Sequence, residues 1–262
     1  MTLIILTIIL ISLIFAPLGC LSLWKKYIYF GDGLSHASLL AGSISILIHL
    51  PVVYSGLIVA IIFAILVFTL KNRSGSSSVV ILVSNFMLSL ALVVSYMYPL
   101  QIKITSLLFG DILSTSLNDI LILSIIFVSV IFFICYFYRQ IILIVINRDI
   151  AQIKGIKVRT IELAFLLLLS LSVFSTIKIV GVLLVTSILL IPAMTARMIS
   201  SNPAQMIINS VIVSLIVNFL GLTASLYLDV PITPIITVIN TIVYCLFYII
   251  SRINKTRPSR SW

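Results

Sequence analysis

No charged side chain occurs in residues 2–23, which read TLIILTIILISLIFAPLGCLSL. As a helix, this run is about 33 Å long, enough to cross the roughly 30 Å hydrocarbon core of a bilayer. No charged segment precedes the run, and no small-residue cleavage site of the usual kind follows it. We therefore expect a retained membrane helix rather than a signal peptide.

Similar apolar runs continue along the chain, which is 62% hydrophobic and 8% charged with a mean hydropathy of +1.35. So few polar side chains cannot cover a soluble protein of this size. A β-barrel would show short alternating segments instead. The sequence predicts an all-α, polytopic transmembrane bundle of about eight or nine spans. Helices are expected near residues 2–23, 34–50, 52–70, 79–98, 119–138, 161–177, 179–196, 205–228 and 234–250.

The basic residues indicate the orientation of this bundle. They occupy alternate connections between the runs: Lys25 and Lys26, Lys71 and Arg73, residues 139–159, Arg197, and residues 252–260. By the positive-inside rule these connections face the cytoplasm, which places the N-terminus outside and the C-terminus inside. Since the net charge of +10 is distributed between apolar runs rather than over one soluble face, we do not expect nucleic acid as a partner.

The connections suggest a single transmembrane domain over residues 1–262, with a cytoplasmic loop at 147–160 and a basic cytoplasmic tail at 252–262. In the loop, Asp149 is expected to cap a short amphipathic helix and Gly155 to end it. A projection of this kind is suited to contact another protein. Residues 99–118 are too short to span and too apolar for an exposed loop, so we expect a partial helix at the outer face.

A carboxylate and an imidazole lie one helical turn apart in residues 31–40, GDGLSHASLL. On a helix, Asp32 and His36 share a face with Cβ atoms about 6 Å apart. Both are suitable ligands for zinc, manganese or ferrous iron, and two ligands suit a site that must release its ion. Alternatively, Asp32 caps the helix and His36 is an ordinary interior histidine. Ionisable groups at membrane depth usually mark ion pathways, which leaves the two interpretations about equal.

A proline interrupts the apolar run at residues 181–197, GVLLVTSILLIPAMTAR. Pro192 removes a backbone hydrogen bond and can kink the helix. The small side chains that follow it, including Thr195, permit close helix contact. The segment is therefore either a gating joint or ordinary bundle packing.

The chain lacks the common signatures of catalysis and of nucleotide hydrolysis. It contains no GxxxxGK[ST] segment, no HExxH segment and no soluble domain large enough to hold a nucleotide. We therefore expect a protein that is not an enzyme and that does not carry its own energy source.

Four segments in this order resemble the permease subunits of bacterial ABC importers for divalent transition metals. They are residues 16–20, 25–40, 108–113 and 180–197, so the resemblance covers almost the whole chain. Tyr29-Phe30 and Ser38-Leu39-Leu40 are most similar to the zinc-uptake members. The resemblance implies a multi-pass protein of the bacterial inner membrane that transports Zn²⁺ as substrate and holds no permanent cofactor.

The same resemblance implies partners and roles. The permease would form a homodimer, with two cytoplasmic ATPase subunits and an extracytoplasmic metal-binding protein. Asp32 and His36 match the family residues that touch the ion in transit. The coupling helix that docks on the ATPase would contain Asp149, Ala151 and Gly155, and Pro192 and Thr195 would lie in the helix near the pathway.

Alternatives remain at this point. The first is the same kind of importer for Mn²⁺ or Fe²⁺. The second is an ion-coupled secondary transporter without an ATPase, which predicts more intramembrane acids or an inverted repeat than the sequence shows. A membrane scaffold without transport activity would leave the Asp32 and His36 pair unexplained.

Overall fold

The computed structural model describes residues 2–49, 52–71, 76–97, 110, 112, 115–182 and 184–253. These residues form ten helices and no strand, which confirms the predicted all-α class. The helices are α1 (Thr2–Trp24), α2 (Phe30–Ile48), α3 (Val52–Leu70), α4 (Ser76–Met97), α5 (Leu117–Ile146), α6 (Arg148–Ile153), α7 (Val158–Val180), α8 (Val185–Ile199), α9 (Pro203–Leu228) and α10 (Ile232–Ile253).

Six of the described helices are long and apolar enough to cross a membrane: α1, α4, α5, α7, α9 and α10. Two further apolar helices are shorter, over Tyr54–Leu70 within α3 and over Val185–Ile199. Helix α2, 19 residues long, carries Asp32 and His36 among its apolar residues. The structure is therefore a polytopic membrane bundle.

The helices pack in two groups joined by α5. Helix α2 lies against α3 and α4, and α3 also packs on α7. In the second group α1, α9 and α10 surround α8. Helix α5 contacts α1 and α7 and so connects the groups. Because α2 also contacts α7 and α8, its first turn lies where the two groups meet.

Polar side chains strengthen the contact between α1 and α9. The Asn218 side-chain amide donates to Ser12 Oγ over 2.7 Å, and Ser210 Oγ donates to the Ala16 carbonyl over 3.2 Å. All four residues are buried. In lipid the apolar surfaces of helices gain little by leaving the solvent, so hydrogen bonds and close packing of this kind hold helices together.

The structure corrects several sequence predictions. Helix α2 begins at Phe30 rather than at residue 34, so Asp32 lies inside its first turn, and the N-cap residue Tyr29 makes no side-chain capping bond. Asp149 does not cap α6. Its N-cap is Asn147, whose Oδ1 accepts from the backbone N–H groups of Asp149 and Ile150 over 2.9 and 3.1 Å. Asparagine is as good a cap as aspartate, and it stands in the N-cap position.

Helix α5 extends to Ile146, eight residues beyond its predicted end. Helix α8 begins at Val185, six residues later than predicted, because Gly181 adopts φ 91° and ends α7. Most of residues 99–118, where a partial helix was predicted, and most of the basic tail at 252–262 lie outside the described residues.

Candidate functional site

The first turn of α2 lies inside the bundle rather than at its surface. Tyr27, three residues before the helix, and the helix's first residue, Phe30, are fully buried. A Cβ atom on Gly33 would lie 3.1 Å from the ring of Phe63 and 3.3 Å from Ser84 Cβ. Phe63 is seven residues from the end of α3, which corresponds to about 10 Å along that helix. The turn that carries Asp32 therefore lies about 10 Å in from the end of α3, within the apolar part of the bundle.

Asp32 and His36 are the two exposed residues between Phe30 and Ser38. The other residues of this segment are buried against α3, α4, α7 and α8. Because positions i and i+4 share a face, the carboxylate and the imidazole border the same open strip of α2. The structure thus brings the two sequence-predicted ligands to one face.

Thr186, the second residue of α8, donates a hydrogen bond from its Oγ1 to Asp32 Oδ1. This bond, rather than a capping bond to the backbone, fixes the carboxylate. A side chain at Gly31 would interfere, because a Cβ atom there would lie 2.9 Å from Thr186 Oγ1. Thr186 was not singled out by sequence reasoning. The signal that could have indicated it is its position in segment 180–197, which resembles the family. Because Thr186 is 154 residues from Asp32, the sequence contained no sign that the two meet.

This geometry suits transient binding of a cation. Asp32 Oδ1 is engaged by a neutral hydroxyl, so the second carboxylate oxygen and the imidazole of His36 are the remaining donors on this strip. Among the described residues, no group of three or more His, Cys, Asp or Glu side chains is close enough to hold a metal ion. Two protein donors leave the rest of an ion's coordination shell to water, as in an exchangeable site.

Pro192 and Thr195 are buried within α8. Thr195 Oγ1 donates to the Ile191 carbonyl over 3.0 Å, the usual intrahelical bond of a threonine. At this level α8 approaches α1 closely, since a Cβ atom on Gly19 would overlap the Leu189 carbonyl oxygen at 2.0 Å. The structure therefore shows both residues in tight packing, roughly two turns (Pro192) and two and a half turns (Thr195) along α8 from Thr186.

The loop around α6 presents two exposed apolar side chains, Ile150 at 44% and Ile153 at 85% exposure. Asp149 is also exposed, whereas Ala151 is completely buried. Gly155 adopts φ 75°, and a Cβ atom there would meet nothing within 4 Å. Ala151 thus anchors α6 to the bundle, while its neighbours form an outward surface.

A second carboxylate, Glu162 on α7, was missed in the sequence. Its Oε1 is 3.5 Å from Lys25 Nζ and 3.2 Å from Lys71 Nζ, and its Oε2 is 3.3 Å from Arg148 Nη2. We call these four residues the basic cluster. They come from four separate stretches of the chain, so no local motif could indicate their meeting.

Four buried rings connect the basic cluster with the Asp32 turn: Tyr27, Phe30, Phe63 and Phe165. Lys71 Nζ lies 4.9 Å from the centre of the Tyr27 ring, and the Tyr27 ring lies 6.1 Å from that of Phe30. Phe30 in turn contacts Phe63 at 5.1 Å. This aromatic cluster fills the space between the two polar regions.

The comparisons with known proteins agree with this architecture. A profile of the ABC 3 transport family matches residues 1–251. The chain belongs to the ABC 3 transport family. Membership confirms the predicted family resemblance and the prediction that this membrane protein is a transporter component rather than an enzyme.

Individual relatives extend the match over nearly the full length. The chain is 33% identical to the high-affinity zinc uptake system membrane protein ZnuB of Buchnera aphidicola subsp. Baizongia pistaciae, over 94% of this chain and 95% of ZnuB. It is 30% identical to ZnuB of Haemophilus influenzae, over 92% and 94% of the two chains. The fold is similar to PsaBC from Streptococcus pneumoniae, with a TM-score of 0.81 at 21% identity, covering 94% of this chain and 90% of the other.

Proposed function

We propose that this chain is the permease subunit of an ATP-driven importer that passes Zn²⁺ inward by alternating access. The zinc-uptake names of the relatives at 30–33% identity support the metal and the class. Residues 1–262 form one permease domain, with nine spans made by α1–α5 and α7–α10. The N-terminus lies outside, and the C-terminus with the basic tail at 252–262 lies in the cytoplasm.

The observation that carries this function is the exposed strip of Asp32 and His36 at membrane depth. A carboxylate facing lipid is costly, so an exposed one at this depth faces a water-filled path or a partner. The carboxylate attracts the cation, and the imidazole replaces part of its hydration shell. A second copy of the permease across the strip closes the path, which makes a homodimer the transporting unit.

The basic cluster supports the proposed orientation. Three cations that follow different spans, Lys25, Lys71 and Arg148, meet at one end of the bundle. The positive-inside rule assigns that end to the cytoplasm. At the other end of α7, Lys178 pairs with Asp119 over 2.9 Å. That end therefore has one cation for one carboxylate, whereas the basic cluster has three cations for one carboxylate.

We assign the cytoplasmic loop at 147–160 to the contact with two copies of an ATPase subunit. The exposed Ile150 and Ile153 supply an apolar docking surface beside Asp149. Ala151 holds this surface against the bundle, and Gly155 turns the chain back into α7. An extracytoplasmic metal-binding protein delivers the ion at the opposite face, and Pro192 and Thr195 lie in the helix that opens and closes the path.

The test is Asp32→Asn and His36→Ala in proteoliposomes that contain the full complex with its ATPases and metal-binding protein. Loss of the charge should reduce ATP-driven zinc uptake about tenfold or more, because a single charge-assisted contact contributes about 1.5 to 3 kcal/mol. The control is Asp229→Asn. Asp229 is an exposed residue that ends α9 at φ 54°, a conformation that asparagine also tolerates.

Uptake by Asp32→Asn at the wild-type rate, in a complex that assembles normally, would overturn the transit site. The metal is tested separately by competition. Unlabelled zinc should suppress uptake of labelled zinc at lower concentrations than manganese or ferrous iron. Stronger competition by manganese or iron would contradict the choice of zinc and leave the site itself in place.

A further inference from the structure

The basic cluster borders a cavity of about 150 Å³. Lys25, Lys71, Arg148 and Glu162 form its polar wall, and Trp24 and Ile144 contribute apolar surface. The Lys25 and Lys71 side chains are only 5% and 17% exposed, while Arg148 is 42% exposed. The cavity is thus a partly open pocket, with the two buried lysines on its inner side and access from outside beside Arg148.

Charge in this cavity is not balanced by the described residues that line it. Three cations surround the single carboxylate of Glu162, which leaves a surplus of two positive charges. Removing charged groups from water is costly unless each is paired. A cluster built only to hold helices together would be more stable with fewer cations or with a second acid.

Lys25 shows the effect of this surplus. Burial lowers the pKa of its ammonium to about 8, and although Glu162 opposes this shift, the neighbouring Lys71 and Arg148 add to it. The single carboxylate therefore does not fully stabilise the charged lysine. A bound anion would supply the compensation that is absent from the lining residues.

The position of the cavity limits which anions can reach it. Lys25 and Lys71 directly follow the ends of α1 and α3, and Arg148 follows α5, so the cavity lies at the boundary between the apolar spans and water. Phospholipid phosphates occupy that boundary, and basic pockets between the cytoplasmic ends of spans are a recurring mode of binding them. Trp24, with its apolar ring and polar N–H, is a residue type favoured at the same depth.

We propose that the cavity formed by Lys25, Lys71, Arg148 and Trp24 is a binding site for a phosphate group, carried by an anionic phospholipid headgroup or by a soluble phosphate. The phosphate oxygens accept from Lys71 and Arg148, while Glu162 compensates one of the three positive charges. The proposal is independent of the identity of the transported metal. Since Arg148 opens α6, the ligand joins the ends of α1 and α3 to the loop that carries α6.

The lipid arm uses the purified full-length chain, delipidated in a neutral detergent and examined by native mass spectrometry. Phosphatidylglycerol should bind about tenfold more tightly than phosphatidylcholine, and Arg148→Gln should remove most of that preference. Arg148 is the most exposed member of the cluster, so its replacement is the least disturbing to the fold. Lys178→Gln, a lysine at the opposite end of α7, should retain the preference.

The soluble arm measures the unfolding temperature of the same preparation in inorganic phosphate and in chloride at equal ionic strength. A rise specific to phosphate that depends on Arg148 identifies a soluble phosphate as a ligand. Binding of phosphatidylglycerol alone identifies the lipid as its source.

Glu162→Gln separates an anion site from a purely structural network. Removing the carboxylate raises the surplus from two to three positive charges, so binding of phosphate or phosphatidylglycerol should be at least as tight as in the wild type. If binding weakens with Glu162→Gln, or if neither ligand binds in an Arg148-dependent way, the proposal is wrong.

Discussion

Asp32 and Glu162 lie at opposite sides of the aromatic cluster, yet the two carboxylates have opposite surroundings. Glu162 is buried and has three cations within 3.5 Å. Asp32 is exposed and accepts a hydrogen bond from one neutral hydroxyl, that of Thr186. Glu162 therefore has no oxygen free for a metal cation, whereas Asp32 keeps one. The comparison teaches that neighbours, and not the acidic side chain itself, decide which carboxylate can serve an ion pathway.

The difference also relates the two proposals to each other. A surplus of two positive charges beside the aromatic cluster repels a divalent cation that approaches the Asp32 turn from that side. A phosphate in the cavity reduces that surplus, because even a phospholipid phosphodiester carries one negative charge. The ligand of the basic cluster would thus lower the electrostatic barrier on that side of the proposed transit site, while Glu162 alone compensates only one of three charges.

The largest expected effect comes from Glu162→Gln. Three cations, two of them largely buried, lose their shared partner, and the free energy of unfolding should fall by about 3 kcal/mol. Thermal unfolding in neutral detergent without added phosphate measures it. The matched variant is Asp119→Asn, which breaks the more exposed pair with Lys178 and should cost about 1 kcal/mol or less. Equal losses of unfolding free energy in the two variants would show that burial does not make the basic cluster more important for stability than the exposed pair of Asp119 and Lys178.

A smaller effect is expected from the titration of Lys25. Its pKa is about 8 in the folded chain and near 10.5 in the unfolded chain, so between these values the unfolded chain binds more protons. Stability therefore rises with pH over this interval, by at most about 1.4 kcal/mol per pH unit.

The measurement is the change in unfolding temperature between pH 7.5 and 9.5 for the wild type and for Lys25→Met. The wild type should gain more, because the variant lacks the titrating group. An equal gain in both proteins would mean that burial does not destabilise the charged Lys25. Bound phosphate should reduce the difference.

How well the sequence predicted these regions depends on how far apart in the chain the contacting residues lie. Asp32 and His36 are one helical turn apart, so periodicity alone placed them on one face, and the apolar runs predicted most of the spans. Glu162 meets Lys71 and Lys25 across 91 and 137 residues and Arg148 across 14, and Thr186 meets Asp32 across 154 residues. No local pattern reports such contacts. The start of α2 was placed four residues late because Gly31 and Gly33, a residue type common in turns, instead allow close packing within the helix.

The smallest expected effect tests the contact that sets Asp32 apart from Glu162. Thr186→Val keeps the shape of the side chain and removes its hydroxyl, so the Asp32 carboxylate loses its orienting donor. A neutral hydrogen bond contributes about 0.5 to 1.5 kcal/mol, so the half-saturating zinc concentration should rise about three- to tenfold while the maximal rate changes little. Zinc uptake by the full complex in proteoliposomes gives both quantities.

Two further variants decide whether Thr186 acts through Asp32. Thr186→Ser restores a hydroxyl and should restore the half-saturating concentration, whereas a role in packing alone would leave serine as defective as valine, or more so. Thr237→Val on α10 removes a hydroxyl that donates within its own helix, to the Thr233 carbonyl at 3.2 Å, and should leave uptake unchanged. In the background of Asp32→Ala, Thr186→Val should add little, because two changes that remove the same interaction are not additive. A full additional loss would show that Thr186 serves the transporter by another route than the carboxylate.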